Sequence, residues 1–181
     1  VHIQLLASRP EQVPLRLPDT LDLPFSVKLD MLKIDAIKFT SVDEAYPENL
    51  ISGFALSLHS DGNHHRLTQL HGLTPWGEVR AHAQLEGAAP FVLAGQIDLF
   101  GPAPWNTMHI VMSGNLEHMT INLIAEKPGA NAKLNAHLRP FSANPLTQLD
   151  VDAQQLNPAS FFPEAPTASL TVAAHLATAG D

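Results

Sequence analysis

The stretch that decides the fold is Asn131-Ala132-Lys133-Leu134-Asn135-Ala136-His137-Leu138, in which apolar and polar residues alternate without a break. Successive side chains of an extended strand point to opposite faces, so a period of two produces one apolar face and one polar face. Residues 107–112 and 169–176 repeat the pattern. Because an apolar sheet face has to be covered by something, the question for function is what covers this one.

Turn signals separate the alternating stretches along the chain. Asp61-Gly62 is typical of a hairpin turn, Pro128-Gly129 of a second connection and Ser113-Gly114-Asn115 of a third. Links this short join antiparallel neighbours, so the strands are expected to follow one another as a meander. We therefore predict an all-β chain of antiparallel strands, with no second domain and at most one short helical turn.

Two local features interrupt the alternation. The apolar phase changes parity twice between Leu29 and Ile37, and each change predicts a β-bulge or a bend in a long strand. Residues 157–162 predict the helical turn, because Asn157 is a favourable N-cap and Pro158 suits the first helical position.

Composition limits the classes of protein to which the chain can belong. Its 181 residues suffice for one domain with a core, or for part of something longer. The sequence begins at Val1 without a basic and apolar leader, so we expect residues 1–181 to be a single segment excised from a longer chain. A net charge of −8 argues against nucleic acid and against charge-driven binding to an anionic membrane. The chain has no cysteine, which excludes disulfides and thiol chemistry.

Two architectures satisfy the pattern. Two sheets can pack face to face as a sandwich with a dry core, or one sheet can curl into a trough whose apolar wall stays open to a ligand. Sandwich cores need bulky side chains to reach packing density. Aromatic residues make up only 6% of this chain, and much of its apolar phase is small. We therefore predict a curled antiparallel sheet that forms an open apolar groove, a β-taco-like shape, and keep the sandwich as the alternative. The small residues of the apolar phase are Ala81, Ala83, Gly95, Ala132, Ala136, Ala153 and Ala174.

Bulkier residues of the apolar phase are predicted to line the groove. They share one parity within each strand, so their side chains are expected on a single face. Three of them are methionines, whose flexible thioethers suit an adaptable apolar surface and equally fill gaps in an ordinary core. The predicted groove-lining residues are Val27, Leu29, Leu32, Ile34, Phe54, Leu56, Leu58, Val79, Leu93, Ile97, Met108, Ile110, Met112, Met119, Ile121, Leu123, Leu134, Leu138, Val151, Leu170 and Val172.

Ten histidines raise the question of a metal site. Zinc needs converging ligands, and no HxH or HxxxH spacing on one element supplies them. His64 and His65 follow the Asp61-Gly62 turn and are expected to be an ordinary surface pair. We predict no metal and no cofactor. Seven further histidines fall on the polar parity and are expected in solvent: His2, His59, His82, His109, His118, His137 and His175.

No arrangement typical of catalysis is present in the sequence. Asp150 and Asp152 stand two apart and share the polar face, but paired carboxylates act as acid and base only where a pocket separates their pKa values. The chain also lacks a Gly-rich phosphate loop, a nucleophile elbow and a Ser-His-Asp arrangement in a supporting context. We therefore expect no enzyme activity.

Several segments, taken in order, resemble the TamB family of Gram-negative envelope proteins, the translocation and assembly module subunit related to the AsmA-like group. The individual motifs are loose, and the resemblance comes from their order and spacing over most of the chain. The segments are PFSVKLDMLKID at 24–35, FALSLHSDG at 54–62 with HRL at 65–67, LRPF at 138–141, NPL at 144–146, and LNPA at 156–159 continuing through Phe162-Pro163 and Pro166 to Leu170.

This resemblance implies a periplasmic protein that belongs to the machinery of outer-membrane biogenesis. TamB-like chains are anchored in the inner membrane by an N-terminal helix and look like extended, curled β-sheets with a continuous apolar groove. Other parts of the chain work with TamA, an outer-membrane barrel, in autotransporter assembly and protein secretion, and the family is implicated in lipid transport. The family carries no catalytic residues. The resemblance places this chain as a middle segment that adjoins further β-groove segments of the same chain.

The expected function is a non-enzymatic conduit that shields apolar cargo. That cargo is either phospholipid acyl chains or nascent outer-membrane protein strands, and both fit an apolar groove. Each CH₂ of an acyl chain left in water costs about 0.8 kcal/mol, which a continuous apolar surface removes. The alternative is a β-sandwich that serves as a protein-interaction or adhesion module.

Overall fold

The computed structural model describes residues 16–39, 49–101, 105–160 and 164–178. Within these ranges ten antiparallel strands form one curled sheet that does not close, in the order β1 to β10. The predicted all-β fold is confirmed. The strands are β1 (Val27–Phe39), β2 (Asn49–Ser60), β3 (His64–Thr74), β4 (Gly77–Glu86), β5 (Val92–Phe100), β6 (Thr107–Asn115), β7 (Met119–Lys127), β8 (Ala130–Leu138), β9 (Leu146–Leu156) and β10 (Leu170–Ala177).

The sheet is a single layer. Each strand pairs only with its neighbours in sequence, and every extensive strand–strand contact of the described residues is between such neighbours. The two-sheet sandwich is therefore not the architecture of these strands. Four of the nine connections have only two or three residues, and a link of that length can join only neighbouring antiparallel strands.

The turns at Asp61-Gly62 and Pro128-Gly129 lie where the sequence predicts them. Asp61 Oδ1 accepts bonds from the backbone N–H groups of Asn63 and His64, and these bonds hold the first turn together. The third predicted connection is wrong in position. Residues 113–115 form the last part of β6, and the turn follows them, because β6 continues its pairing with β7 as far as Gly114.

A bulge accounts for the first of the two predicted changes of parity. The β1–β2 register shifts between Leu29 and Leu32, as predicted for the first change. The prediction of a second bulge in β1 is wrong, because the β1–β2 register stays unbroken after Leu32, so Ile37 lies on the opposite face from Ile34. Instead β2 shifts against β3 between Ser52 and Ala55, beside Gly53, whose φ of 58° lies in the left-handed region that glycine favours.

A 3₁₀ turn over Pro158–Ser160 matches the predicted helical turn. Asn157 is its N-cap, since its Oδ1 accepts a bond of 3.2 Å from the backbone N–H of Ala159. Phe161 and Phe162, which the prediction included in this turn, lie outside the described residues, as does His2.

Phe91 is the most completely buried large side chain, at 0% exposure. Phe91 has the same parity in the sequence as Leu93, but it lies before β5, and its φ of 59° takes the backbone out of the strand. Its amide donates to the carbonyl of Ala88, which closes a tight loop between β4 and β5.

Candidate functional site

The apolar face of the sheet is built from cross-strand rows. One row takes one residue from every strand and is apolar at all ten positions; we call it the central row. It runs through Leu32, Leu56, Leu70, Ala81, Ile97, Ile110, Leu123, Leu134, Val151 and Ala174. At about 4.8 Å between strands, nine intervals give this row a length of about 43 Å along the sheet.

A second row beside the central row is also apolar on every strand. It runs through Leu29, Leu58, Leu67, Ala83, Gly95, Met112, Ile121, Ala136, Leu149 and Leu176. Two adjacent rows without a polar interruption make a continuous apolar surface. The register places all the predicted groove-lining residues on this face, and the methionines of β6 and β7 lie in neighbouring strands there.

Large side chains in the middle of the apolar face are half-buried, while several small ones are covered. Ala125, Ala136 and Ala153 are exposed by only 1%, 6% and 2%. A Cβ on Gly95 would lie 3.1 Å from the terminal methyl of Met112, so a neighbouring side chain occupies the space over this glycine. At Gly95, Ala136 and Ala153, which the sequence analysis counts among the small residues of the apolar phase, the small side chain therefore leaves little open volume.

One end of the apolar face is covered by the strap, residues 20–23. The amide of Leu21 donates to the carbonyl of Gly87, and the amide of Leu23 donates to that of Gly62, both at 2.8 Å. The amide of Gly87 donates in turn to Asn63. The strap thereby joins the β2–β3 and β4–β5 connections. Sequence periodicity gave no signal for it, since the strap belongs to no strand.

His65 lies under the strap on the apolar face, so the prediction that it forms a surface pair with His64 is wrong. His65 is opposite Ser60 of β2 on one side and opposite Leu85 of β4 on the other, and both of these residues belong to the apolar face. Its Nδ1 lies 2.8 Å from Ser60 Oγ, and its Nε2 lies 3.0 Å from the carbonyl oxygen of Leu21. The carbonyl can only accept, so Nε2 carries a proton and donates it.

The polar face carries the remaining histidines of the described strands. The register confirms that His59, His82, His109, His137 and His175 all lie there, and the exposed His118 is in the turn before β7. His71, which the sequence analysis did not assign, shares this face opposite Arg80.

His109 and His175 are each bonded to a carboxylate directly across the sheet. His109 Nδ1 lies 2.5 Å from Asp98 Oδ1, and His175 Nδ1 lies 2.5 Å from Asp150 Oδ1. The members of each pair are opposite in register, on neighbouring strands. The expected solvated row of Asp150 and Asp152 does lie on the polar face, but Asp150 is bonded to a histidine there.

These bonds lower the pKa of both carboxyls. For Asp98 the largest cause is the bond from His109, followed by one from the amide of the glutamine two residues earlier. The pKa of Asp150 is lowered by the equivalent pair of bonds, with His175 first. In the β2–β3 turn, backbone bonds from His64 and Asn63 lower the pKa of Asp61 to about 2. The Asp61 side chain in turn raises the pKa of His64.

Two shallow clefts of about 550 and 530 Å³ include residues of the polar rows. In the first, Asn135 Nδ2 donates to Asn122 Oδ1 at 2.7 Å, and Asp150 bonds to His175. These four polar side chains are thus engaged with one another within the sheet. The polar residues of the second cleft include Arg66, His82, Gln84 and Gln96.

Within the described ranges, no set of three or more His, Cys, Asp or Glu side chains is placed so that it could hold a metal ion. In the same part of the chain, no helix has the length and hydropathy that crossing a membrane requires.

The fold and this face define a class of protein, a one-layer antiparallel β-sheet with a continuous apolar surface. No family model matches the chain, and no curated protein sequence or solved structure is significantly similar to it.

Proposed function

We propose that this chain is a non-enzymatic conduit segment whose apolar face shields acyl chains of phospholipids. The observation that carries the proposal is the pair of apolar rows that cross all ten strands without a polar residue. No second sheet covers them among the described strands.

The direction of the rows supports movement along the sheet. A ligand that lies across the strands meets Ile97, Ile110 and Leu123 in succession, and each is apolar. Each CH₂ buried against such a surface is stabilised by about 0.8 kcal/mol, so an acyl chain gains at every position and meets no polar barrier between positions. The half-buried state of the large side chains leaves apolar area free for this contact.

The cellular setting is part of the proposal and rests on the resemblance to the TamB family. It puts the parent chain in the periplasm of a Gram-negative bacterium, anchored in the inner membrane and working through other parts with a TamA-like barrel. Outer-membrane biogenesis and protein secretion are the processes that this setting implies. Nascent outer-membrane strands are the competing cargo, since they too present alternating apolar side chains.

The test compares one substitution on the two faces of one strand. Ile121 lies in the second apolar row, whereas Ile124 is 39% exposed on the polar face between His109 and Lys133. Phospholipid bound to the purified native chain is measured by mass spectrometry. We expect Ile121→Asp to lower it at least about tenfold, because a carboxylate against acyl chains costs more than about 1.4 kcal/mol. Ile124→Asp should leave it unchanged.

Circular dichroism and urea unfolding separate loss of binding from loss of fold. The proposal requires that folded Ile121→Asp protein loses lipid. If Ile121→Asp unfolds the chain while Ile124→Asp does not, then Ile121 belongs to a closed core and the proposal fails. Lipid retained equally by both variants, or an unfolded outer-membrane strand bound in place of lipid, also contradicts it.

A further inference from the structure

The two clefts on the polar face differ in the charges that line them. The first is lined by Asp150 and Asp152, and its lysine, Lys133, lies opposite Asp152 in register. The second cleft, of about 530 Å³, has no carboxylate among the described residues that line it. The whole chain carries 18 Asp and Glu against 10 Lys and Arg, so this cleft departs from the acidic balance around it. Its charged residue is Arg66, and His82 is its other titratable residue.

Short side chains in the middle of the polar face form the second cleft. One cross-strand row runs from Arg66 on β3 through Gln84 and Ala94 to Ser113 on β6. The row has long side chains on β3 and β4 and short ones on β5 and β6, so the face is lower over the last two strands. His82 stands two residues before Gln84 and therefore on the same face. The donors of Arg66, Gln84 and His82 thus border a depression in the sheet.

The donors that border this cleft are not used within the described part of the chain. The side chains of Arg66, His82 and Gln84 make no hydrogen bond or ion pair with any described residue. Arg80, on the same face, differs from them, because its Nε donates to Glu78 Oε1 at 2.7 Å. A guanidinium without an anion at the side of a cleft is available to a charged ligand.

The acidic side chains beside the cleft are bonded elsewhere. Glu86, at the end of β4, has its Oε2 3.2 Å from His64 Nε2. Asp98 of β5 accepts a bond from His109, and His82 is only the last of the causes that lower the pKa of Asp98. Neither carboxylate pairs with the guanidinium at the cleft, so an external anion meets no competitor there from these two side chains.

We propose that the second cleft binds a soluble phosphate ester, with Arg66 as the residue that anchors its phosphate group. A guanidinium presents two parallel N–H donors to two phosphate oxygens, and the Gln84 amide opposite it can donate to a third. The side chains of Ala94 and Val111 offer apolar area to the carbon part of an ester. Arg66 and Gln84 thus serve the anion, and the low part of the cleft serves its organic group.

The source of the phosphate follows from the face on which the cleft opens. The cleft is on the polar face, and the two apolar rows are on the other side of a single layer. A phospholipid whose acyl chains lie on those rows cannot place its headgroup in the cleft, since β3 to β6 have further strands on both sides. The proposal is therefore independent of the conduit and concerns a soluble ligand.

Phenyl phosphate is the probe, and calorimetry with the purified chain measures its binding. We expect one saturable site, which Arg66→Gln weakens at least about tenfold because a charge-assisted hydrogen bond is lost. Gln84→Glu should weaken binding as much, since its new carboxylate lies opposite Arg66, takes up the guanidinium and repels the phosphate. Urea unfolding should show that Gln84→Glu keeps or exceeds the wild-type free energy of unfolding, because opposite charges across two strands stabilise a sheet.

Two variants in the first cleft control for net charge. Lys133→Gln removes one positive charge, as Arg66→Gln does, and Asn122→Asp adds one negative charge, as Gln84→Glu does. Asn122 accepts a bond from Asn135 through Oδ1, an atom that the substitution keeps. Both controls should bind phenyl phosphate with wild-type affinity. No saturable binding, wild-type affinity in Arg66→Gln, or equal losses in control and cleft variants would overturn the proposal. So would phosphatidylglycerol vesicles that bind through Arg66 while phenyl phosphate does not.

Discussion

His109 and Asp98 are bonded directly across β5 and β6, with 2.5 Å between Nδ1 and Oδ1. An ionised carboxylate only accepts, so the histidine Nδ1 carries the proton and donates it. The bond joins two central strands of the sheet on the face that water reaches. It lies opposite the apolar rows, so the same strands combine polar pairing on one face with apolar contact on the other.

Asp98→Asn should make the stability of the chain less dependent on pH. The folded state lowers the pKa of Asp98 below its usual 3.8. The charged carboxylate therefore stabilises the folded state above that value, and this contribution is lost as the pH falls through the lowered pKa. We expect the wild-type chain to be more stable than Asp98→Asn at about pH 7, with the difference in free energy of unfolding shrinking below about pH 3.8. Urea unfolding of both chains over this range of pH measures the difference in free energy of unfolding.

Asp152→Asn is the control for this titration, because among the described residues the side chain of Asp152 accepts only a weak bond of 3.5 Å, from Gln154, and none from a histidine. At neutral pH, Asp152→Asn should lower the free energy of unfolding less than Asp98→Asn does. A stability difference for Asp98→Asn that grows towards acid would contradict the assigned role of the bond.

Gly114→Ala should destabilise the chain more than Gly53→Ala does. Both glycines have a positive φ, 118° and 58°, so alanine is strained at either position. A Cβ on Gly114 would also collide with the carbonyl oxygen of His118, whereas a Cβ on Gly53 meets nothing within 4 Å. We expect a loss of about 1 kcal/mol at Gly53 and at least about 2 kcal/mol at Gly114. Thermal and urea unfolding compare the two variants. Equal losses of unfolding free energy would show that the backbone near Gly114 moves to accommodate the added Cβ at no cost.

The alternation in the sequence predicted which residues share a face, but could not predict which ones meet across strands. Parity is local, because each residue's face follows from that of its neighbour. Register depends on turn lengths and on every bulge between two strands. The bonds of Asp98 to His109 and of Asp150 to His175 join residues 11 and 25 positions apart on neighbouring strands, so they follow only from the assembled register.

Two features that the alternation does not predict lie beside connections between strands. His65 and Phe91 both lie beside a connection, where the backbone leaves the extended conformation or another segment covers the strand end. A period of two carries no information about such places. The strap that covers His65 has no periodicity, and its hydrogen bonds are made by backbone atoms that any sequence possesses.

Phe91→Ala should be the most destabilising of the aromatic truncations at this sheet. The ring is fully buried although the sheet has a single layer, so its burial comes from the covered end of the apolar face and the tight loop that holds it. Removal of a buried phenylalanine ring costs about 3–5 kcal/mol. Phe100→Ala is the control: its ring is 42% exposed and contacts the Arg80 guanidinium at 5.3 Å, a contribution of about 0.5–1 kcal/mol. Urea unfolding measures both. A similar small loss for the two variants would mean that the covered end contributes little to stability, and that the sheet is held by its strand ladders alone.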